Sequence, residues 1–142
     1  MLIRLLGEEK EALACTAPFP FTDIPDWAEP YAAYGYSKGY TNGVSPTEFG
    51  TWMNASAEMY TEFLLRALRY SSTAQSDIST APKRAQSAGV LTAGEVSALR
   101  AQTFLRADVA YLSYYALETN ISGGTALSDT LVARGVFTAD AY

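Results

Sequence analysis

An apolar hexamer built around an arginine occurs twice in this chain. Met1-Leu2-Ile3-Arg4-Leu5-Leu6 and Phe63-Leu64-Leu65-Arg66-Ala67-Leu68 lie 62 residues apart, and in each three apolar residues precede the arginine and two follow it. A second echo has a spacing of 50. Gly39 pairs with Gly89, Ala57 with Ala107 and the acid Glu58 with Asp108, so an Ala-acid pair opens an apolar stretch 18 residues after a glycine in both copies. Such periods are the mark of units that cannot bury an apolar face alone and must stack on their neighbours. The unit has roughly 50 to 60 residues, and the chain is expected to start partway through one copy.

Within the units the signals are helical. Asp26 followed by Glu29 reads as a capping box that opens a helix closed by Gly39. Trp27, Tyr31 and Tyr34 then fall on one face at i, i+4 and i+7, and are expected in the core rather than against a ligand. Ser45-Pro46-Thr47-Glu48 predicts a short turn. Asn54 is placed to cap a longer helix to about Tyr70, with Met59/Tyr60, Phe63/Leu64 and Ala67/Leu68 as its buried stripe. Ser71 to Thr80 reads as a polar linker, Pro82 to Ala88 as a short helix stopped by Gly89, and Thr92 with Glu95 as a capping box for a helix to about Ala101. Leu105, Val109, Leu112 and Ala116 mark the next long helix, Ser122-Gly123-Gly124 breaks it, and Thr125 is positioned to cap a last helix ending at Gly135. No hairpin or alternating strand pattern appears, so the fold class is all-α.

Composition removes several functions. With 15 acidic against 10 basic residues the net charge is −5, and no basic run extends beyond Lys83-Arg84, so nucleic acid is not an expected partner. The absence of histidine excludes histidine-based triads and metal sites, and the single Cys15 excludes an intrachain disulfide. No segment has the 18 or so apolar residues of a membrane span. Arg4 and the run Glu8-Glu9-Lys10-Glu11 reverse the order of a signal peptide. Paired acids such as Glu48 and Glu58 invite a glycosidase reading, but acids are common at helix starts, and no nucleophile elbow, phosphate loop or zinc signature accompanies them. No catalytic residue and no cofactor is expected.

Phe21-Thr22-Asp23-Ile24-Pro25-Asp26-Trp27-Ala28 and Lys38-Gly39-Tyr40-Thr41-Asn42-Gly43 resemble the opening of an S-layer homology repeat and the turn after that family's first helix. Ala57-Glu58 through Phe63-Leu64-Leu65-Arg66-Ala67-Leu68 resembles its second helix, and Phe104-Leu105-Arg106-Ala107-Asp108 resembles the Thr-Arg-Ala-Glu motif of the following repeat. The resemblance implies the tail helix of a truncated repeat at 1–18, a complete repeat at 19–70, a linker at 71–80 and a divergent third repeat with a C-terminal helix at 81–142. It also implies long second helices packed in a pseudo-threefold bundle with short helices around it.

The function so implied is non-covalent anchoring of a bacterial surface protein, outside the cell, to secondary cell-wall polysaccharide, which often carries pyruvate ketals. By the same resemblance the glycan-contacting residues are Arg106, Asp108, Glu58, Trp52, Tyr40 and Gly43. The central repeat has Ala55-Ser56-Ala57-Glu58 where the motif has its arginine, so Arg106 is the surviving cation and a guanidinium is the best side chain for gripping a carboxylate. The residues alone give Glu58 and Asp108 a second reading, acids favoured at helix N-termini, and give Gly43 a purely backbone one. Asp23 is expected to cap or brace a turn, and Arg4 and Arg66 either to brace the bundle or to point outward. The rival to anchoring is a structural or protein-interaction module of this kind that has lost its glycan. Self-association through the truncated bundle is a further expectation.

Overall fold

The two arginine-centred hexamers end a helix in the same way. The computed structural model describes residues 1–71 and 77–141. Helix α1 (Leu2–Leu5) closes with Gly7 N–H on the Arg4 carbonyl at 3.1 Å and Glu8 N–H on that of Ile3 at 3.0 Å. The longer α4 (Ala57–Ala67) closes with Arg69 N–H on the Arg66 carbonyl at 3.1 Å and Tyr70 N–H on that of Leu65 at 2.8 Å. Both are Schellman motifs, which need a left-handed residue one position past the cap. Gly7 (φ 68°) supplies it without strain, whereas in the second copy Arg69 is forced to φ 62°.

The chain packs as two units, Met1–Asn54 and Ala55–Tyr142. The division falls inside the 19–70 repeat, so packing and sequence repeat do not share a boundary. In the first unit α1 is followed by α2 (Glu9–Leu13), a 3-10 turn at Asp26–Ala28, α3 (Glu29–Ser37) and a long irregular segment. The expected tail helix of 1–18 is thus two helices broken at Gly7. Helix α2 packs on α3, and Leu2, Leu6, Ala12, Phe21, Ala32, Ala33 and Tyr34 are buried. The Glu8 carboxylate accepts from the Tyr40 hydroxyl at 3.0 Å, and Glu9 accepts from Arg4 at 2.7 Å and Tyr31 at 2.8 Å, which ties α1 and α2 to α3 and the turn beyond it.

Trp27 departs from its expected place. It lies in the 3-10 turn, 76 % exposed, off the face that Tyr31 and Tyr34 share. Pro30 explains this. It is tolerated only in the first turn of a helix, so α3 begins at Glu29 rather than at Asp26, and the Asp26/Glu29 capping box does not form.

In the second unit α4 packs against both α5 (Ala81–Ser87) and α7 (Arg106–Glu118). Helix α6 (Ala93–Ala101) follows α5, and α8 (Leu127–Ala133) packs on α7. Leu64, Leu65, Leu68, Leu112 and Leu131 are fully enclosed, each contributing on the order of 1.5–3 kcal/mol of burial. The Tyr60 hydroxyl meets Ser113 Oγ at 2.7 Å between α4 and α7, and burial outweighs that bond in pushing the phenol above its usual pKa.

Local capping corrects three boundaries. Helix α4 begins at Ala57 with the Ser56 side chain accepting Met59 N–H at 3.2 Å, so Ser56, not Asn54, is the cap. Leu105 is the N-cap residue of α7 and 60 % exposed, not the first member of its buried stripe. Ala126 precedes α8, while the Thr125 carbonyl accepts Ile121 N–H at 2.9 Å across a small hairpin loop. Of the expected linker, 72–76 lie outside the described residues, and Ile78–Thr80 form a 3-10 turn capped by Asp77. The Thr92/Glu95 capping box is present as expected.

A further echo emerges from the geometry. Helices α5 and α8 both end in a Schellman motif, at Gly89 and Gly135. The sequences there, Gly89-Val90-Leu91-Thr92-Ala93 and Gly135-Val136-Phe137-Thr138-Ala139, match at a spacing of 46. Among the described residues there are only α-helices, 3-10 turns and one isolated bridge between Asn120 and Ala126. The fold is all-α.

Candidate functional site

In the first unit the candidate residues cluster on the irregular segment after α3. The Asp23 carboxylate organises it, accepting the backbone N–H groups of Phe49 at 2.7 Å, Gly50 at 2.8 Å and Thr51 at 3.1 Å. These bonds, that of Phe49 foremost, hold the carboxyl below its usual range. Asp23 therefore braces a loop, as its sequence position suggested. Trp52 follows the braced residues directly and is 85 % exposed, so its indole is displayed from a backbone that is already fixed. Val44 and Met53, also exposed, flank Gly50.

Tyr40 and Gly43 have structural duties in the same unit. The Tyr40 hydroxyl is engaged by Glu8. Gly43 sits at φ 74°, and a Cβ there would run into the Glu48 carbonyl oxygen and the Phe21 ring. Phe21 itself makes edge contacts with Tyr36 at 5.5 Å and Phe49 at 5.6 Å. The glycine is required by close packing.

In the second unit Arg106 is the first residue of α7 and is exposed; among the described residues its guanidinium has no hydrogen-bond or ion-pair partner. Asp108, two residues on, is occupied elsewhere. Its carboxylate accepts Leu105 N–H at 2.7 Å and the Gln102 amide at 3.1 Å, the N-terminal bonding an acid at that position performs. Glu58 lies in the first turn of α4, half-buried, where the helix dipole favours an acid. Trp52, Tyr40 and Gly43 thus belong to one unit, and Glu58, Arg106 and Asp108 to the other.

A buried charge cluster is one the sequence reading passed over. Glu62, 1 % exposed on α4, accepts from Arg66 Nε at 3.0 Å and from Ser71 Oγ at 2.6 Å, and it pairs with Arg84 from α5. Arg84 also donates to Ser71 Oγ at 3.2 Å, the Thr80 hydroxyl at 3.1 Å and the Asp77 carbonyl at 3.3 Å. Arg66 thereby proves to be a brace rather than an outward-pointing residue. The i, i+4 spacing of Glu62 and Arg66 was visible in the sequence. Arg84, 22 residues away, was not a partner that spacing could identify.

Among the described residues no helix is long and apolar enough to cross a membrane, and no group of acids and thiols is placed to hold a metal ion. Neither a family model, nor a curated protein, nor a solved structure matches this chain.

Proposed function

We propose that this chain is a non-enzymatic anchoring module of the S-layer homology kind, which holds a surface protein outside the cell on an anionic secondary cell-wall polysaccharide. Arg106 carries the reading. A cation in the first turn of a helix faces the positive end of the dipole and is disfavoured there without an anion. Asp108, the nearest acid in that turn, is spent on the backbone of Leu105 and the Gln102 amide, so it leaves the guanidinium charge uncompensated. A glycan carboxylate supplies what is missing, through bidentate bonds that a guanidinium forms well. In the other unit, and independently, the displayed indole of Trp52 is an apolar face of the kind on which sugar rings stack.

A second reading has its own observation. Leu105, Tyr111 and Tyr114 are exposed on and beside α7, which favours a protein-interaction role for this helix. Co-sedimentation of the chain with Gram-positive wall sacculi separates the two. Anchoring predicts pelleting that depends on the secondary polymer, and that falls about tenfold or more in Arg106→Ala, the value of one charge-assisted bond pair. It also predicts weakening by molar salt, where screening reaches to about 3 Å. Wild-type-like pelleting by Arg106→Ala, or none by the folded wild-type chain, would remove the anchoring reading.

A further inference from the structure

The second unit contains two helix pairs built alike and joined in tandem, α4 with α5 and α7 with α8. Helices α5 and α8 each have seven residues, each end in a Schellman motif at a glycine, and each continue into Val, a large apolar residue, Thr and Ala. Two short helices so similar raise a pairing problem, because the apolar face of either would seat on α4 or on α7.

The two seams differ in one respect. Helices α7 and α8 pack together, with Leu112, Ala116, Leu127 and Leu131 buried and no buried charge on either helix. Between α4 and α5 the seam encloses Glu62, held by Arg66 from its own helix and by Arg84 from α5. Arg84 stands five residues before the glycine that closes α5, and the matching residue of α8, five before Gly135, is Thr130.

We propose that the Glu62–Arg66–Arg84 cluster is a pairing key, which makes α4 accept α5 and refuse α8. With α8 seated on α4, Glu62 would lose the cation that comes from across the seam, and Thr130 offers no charge in its place. With α5 seated on α7, Arg84 would meet Leu112 and Ala116 and no buried acid. Removing one partner of a buried ion pair is heavily penalised, whereas the intact cluster adds little over apolar residues of equal bulk. The cluster therefore acts on the difference between right and wrong pairings more than on the stability of the right one. Ser71, which donates to Glu62, and the Thr80 hydroxyl, which accepts from Arg84, flank the α4–α5 connection and so reinforce the same choice.

The test is the triple variant Glu62→Leu/Arg66→Met/Arg84→Met in the full chain, which removes the charges at similar side-chain volume. The expected variant keeps wild-type helix content by circular dichroism and a melting temperature no lower than the wild type. Its amide NMR spectrum shows more than one cross-peak for residues of α4, α5 and α8, with contacts from α4 to α8 as well as to α5. A single cross-peak per residue with contacts only from α4 to α5 would overturn the proposal. An unfolded or clearly less stable triple variant would also overturn it, since the cluster would then act through stability.

Discussion

Replacing Glu62 alone by glutamine tests how deeply the charge cluster is embedded. The substitution keeps the shape of the side chain and deletes its charge, leaving Arg66 and Arg84 facing a neutral amide. Breaking one side of a buried ion pair costs about 3–5 kcal/mol. The Arg66 side chain is only 9 % exposed and has nowhere to recover solvation, whereas that of Arg84 is 31 % exposed and turns partly to water. The lower end of the range, about 3 kcal/mol, is therefore expected. Native domains are stable by about 5–15 kcal/mol, so this loss is a large share of the total. Urea unfolding followed by circular dichroism at neutral pH reads it as a lower midpoint at unchanged slope. A loss under about 1 kcal/mol would place Glu62 in contact with water and refute the reasoning about its burial.

Two other residues give independent checks. Asp23 has its carboxyl pKa depressed by three backbone N–H bonds, so the stability it contributes is present above the usual aspartate range near about 4 and is lost as pH falls through the depressed value. The protection factors of the Phe49, Gly50 and Thr51 amides, taken against intrinsic exchange at the same pH, should fall on such acidification, and should be low already at neutral pH in Asp23→Asn; equal protection in both proteins at neutral pH would remove the bracing role. Arg69 is held at φ 62° in an exposed C-cap turn, so Arg69→Gly should raise stability by about 1 kcal/mol, read as a higher urea midpoint; a lower midpoint would mean that the arginine side chain earns its strained conformation.

Most helices were legible because their signals are local. The α6 capping box of Thr92 and Glu95 and the glycine stops at Gly39, Gly89 and Gly135 lie within one turn of the helix they bound, and each is in place. Elsewhere distant partners set the backbone. Ser45-Pro46-Thr47-Glu48, expected to give only a short turn, carries a start signal much like that of α6 and opens no helix, because the Glu48 carbonyl takes the N–H groups of Val44 and Ser45 and Asp23 takes those of Phe49 to Thr51. A carboxylate more than 20 residues upstream thus fixes the backbone that a helix would need. Among the candidate contact residues, exposure sorted what residue type alone did not. Trp52 is displayed, while the Tyr40 hydroxyl is engaged within the fold, and Trp27, expected in the core, is displayed as well.

The repeat preserves backbone geometry more faithfully than it preserves chemistry. At the same step of the same turn the two copies place Gly7 and Arg69, and both adopt a positive φ although only one does so without strain. The arginines at the centre of the hexamers show the same divergence. Arg4 pairs with Glu9 at 2.7 Å in the open, with its side chain 70 % exposed, while Arg66 pairs with Glu62 in the interior. The matching position is a surface clip in the first copy and part of a core cluster in the second, each with a different acid within reach. The 50-residue echo shows the same divergence. Ser56, 50 residues before Arg106, caps α4 by accepting Met59 N–H. Arg106 begins α7, and among the described residues its guanidinium has no hydrogen-bond or ion-pair partner, which makes it the residue on which the proposed anion contact is tested first.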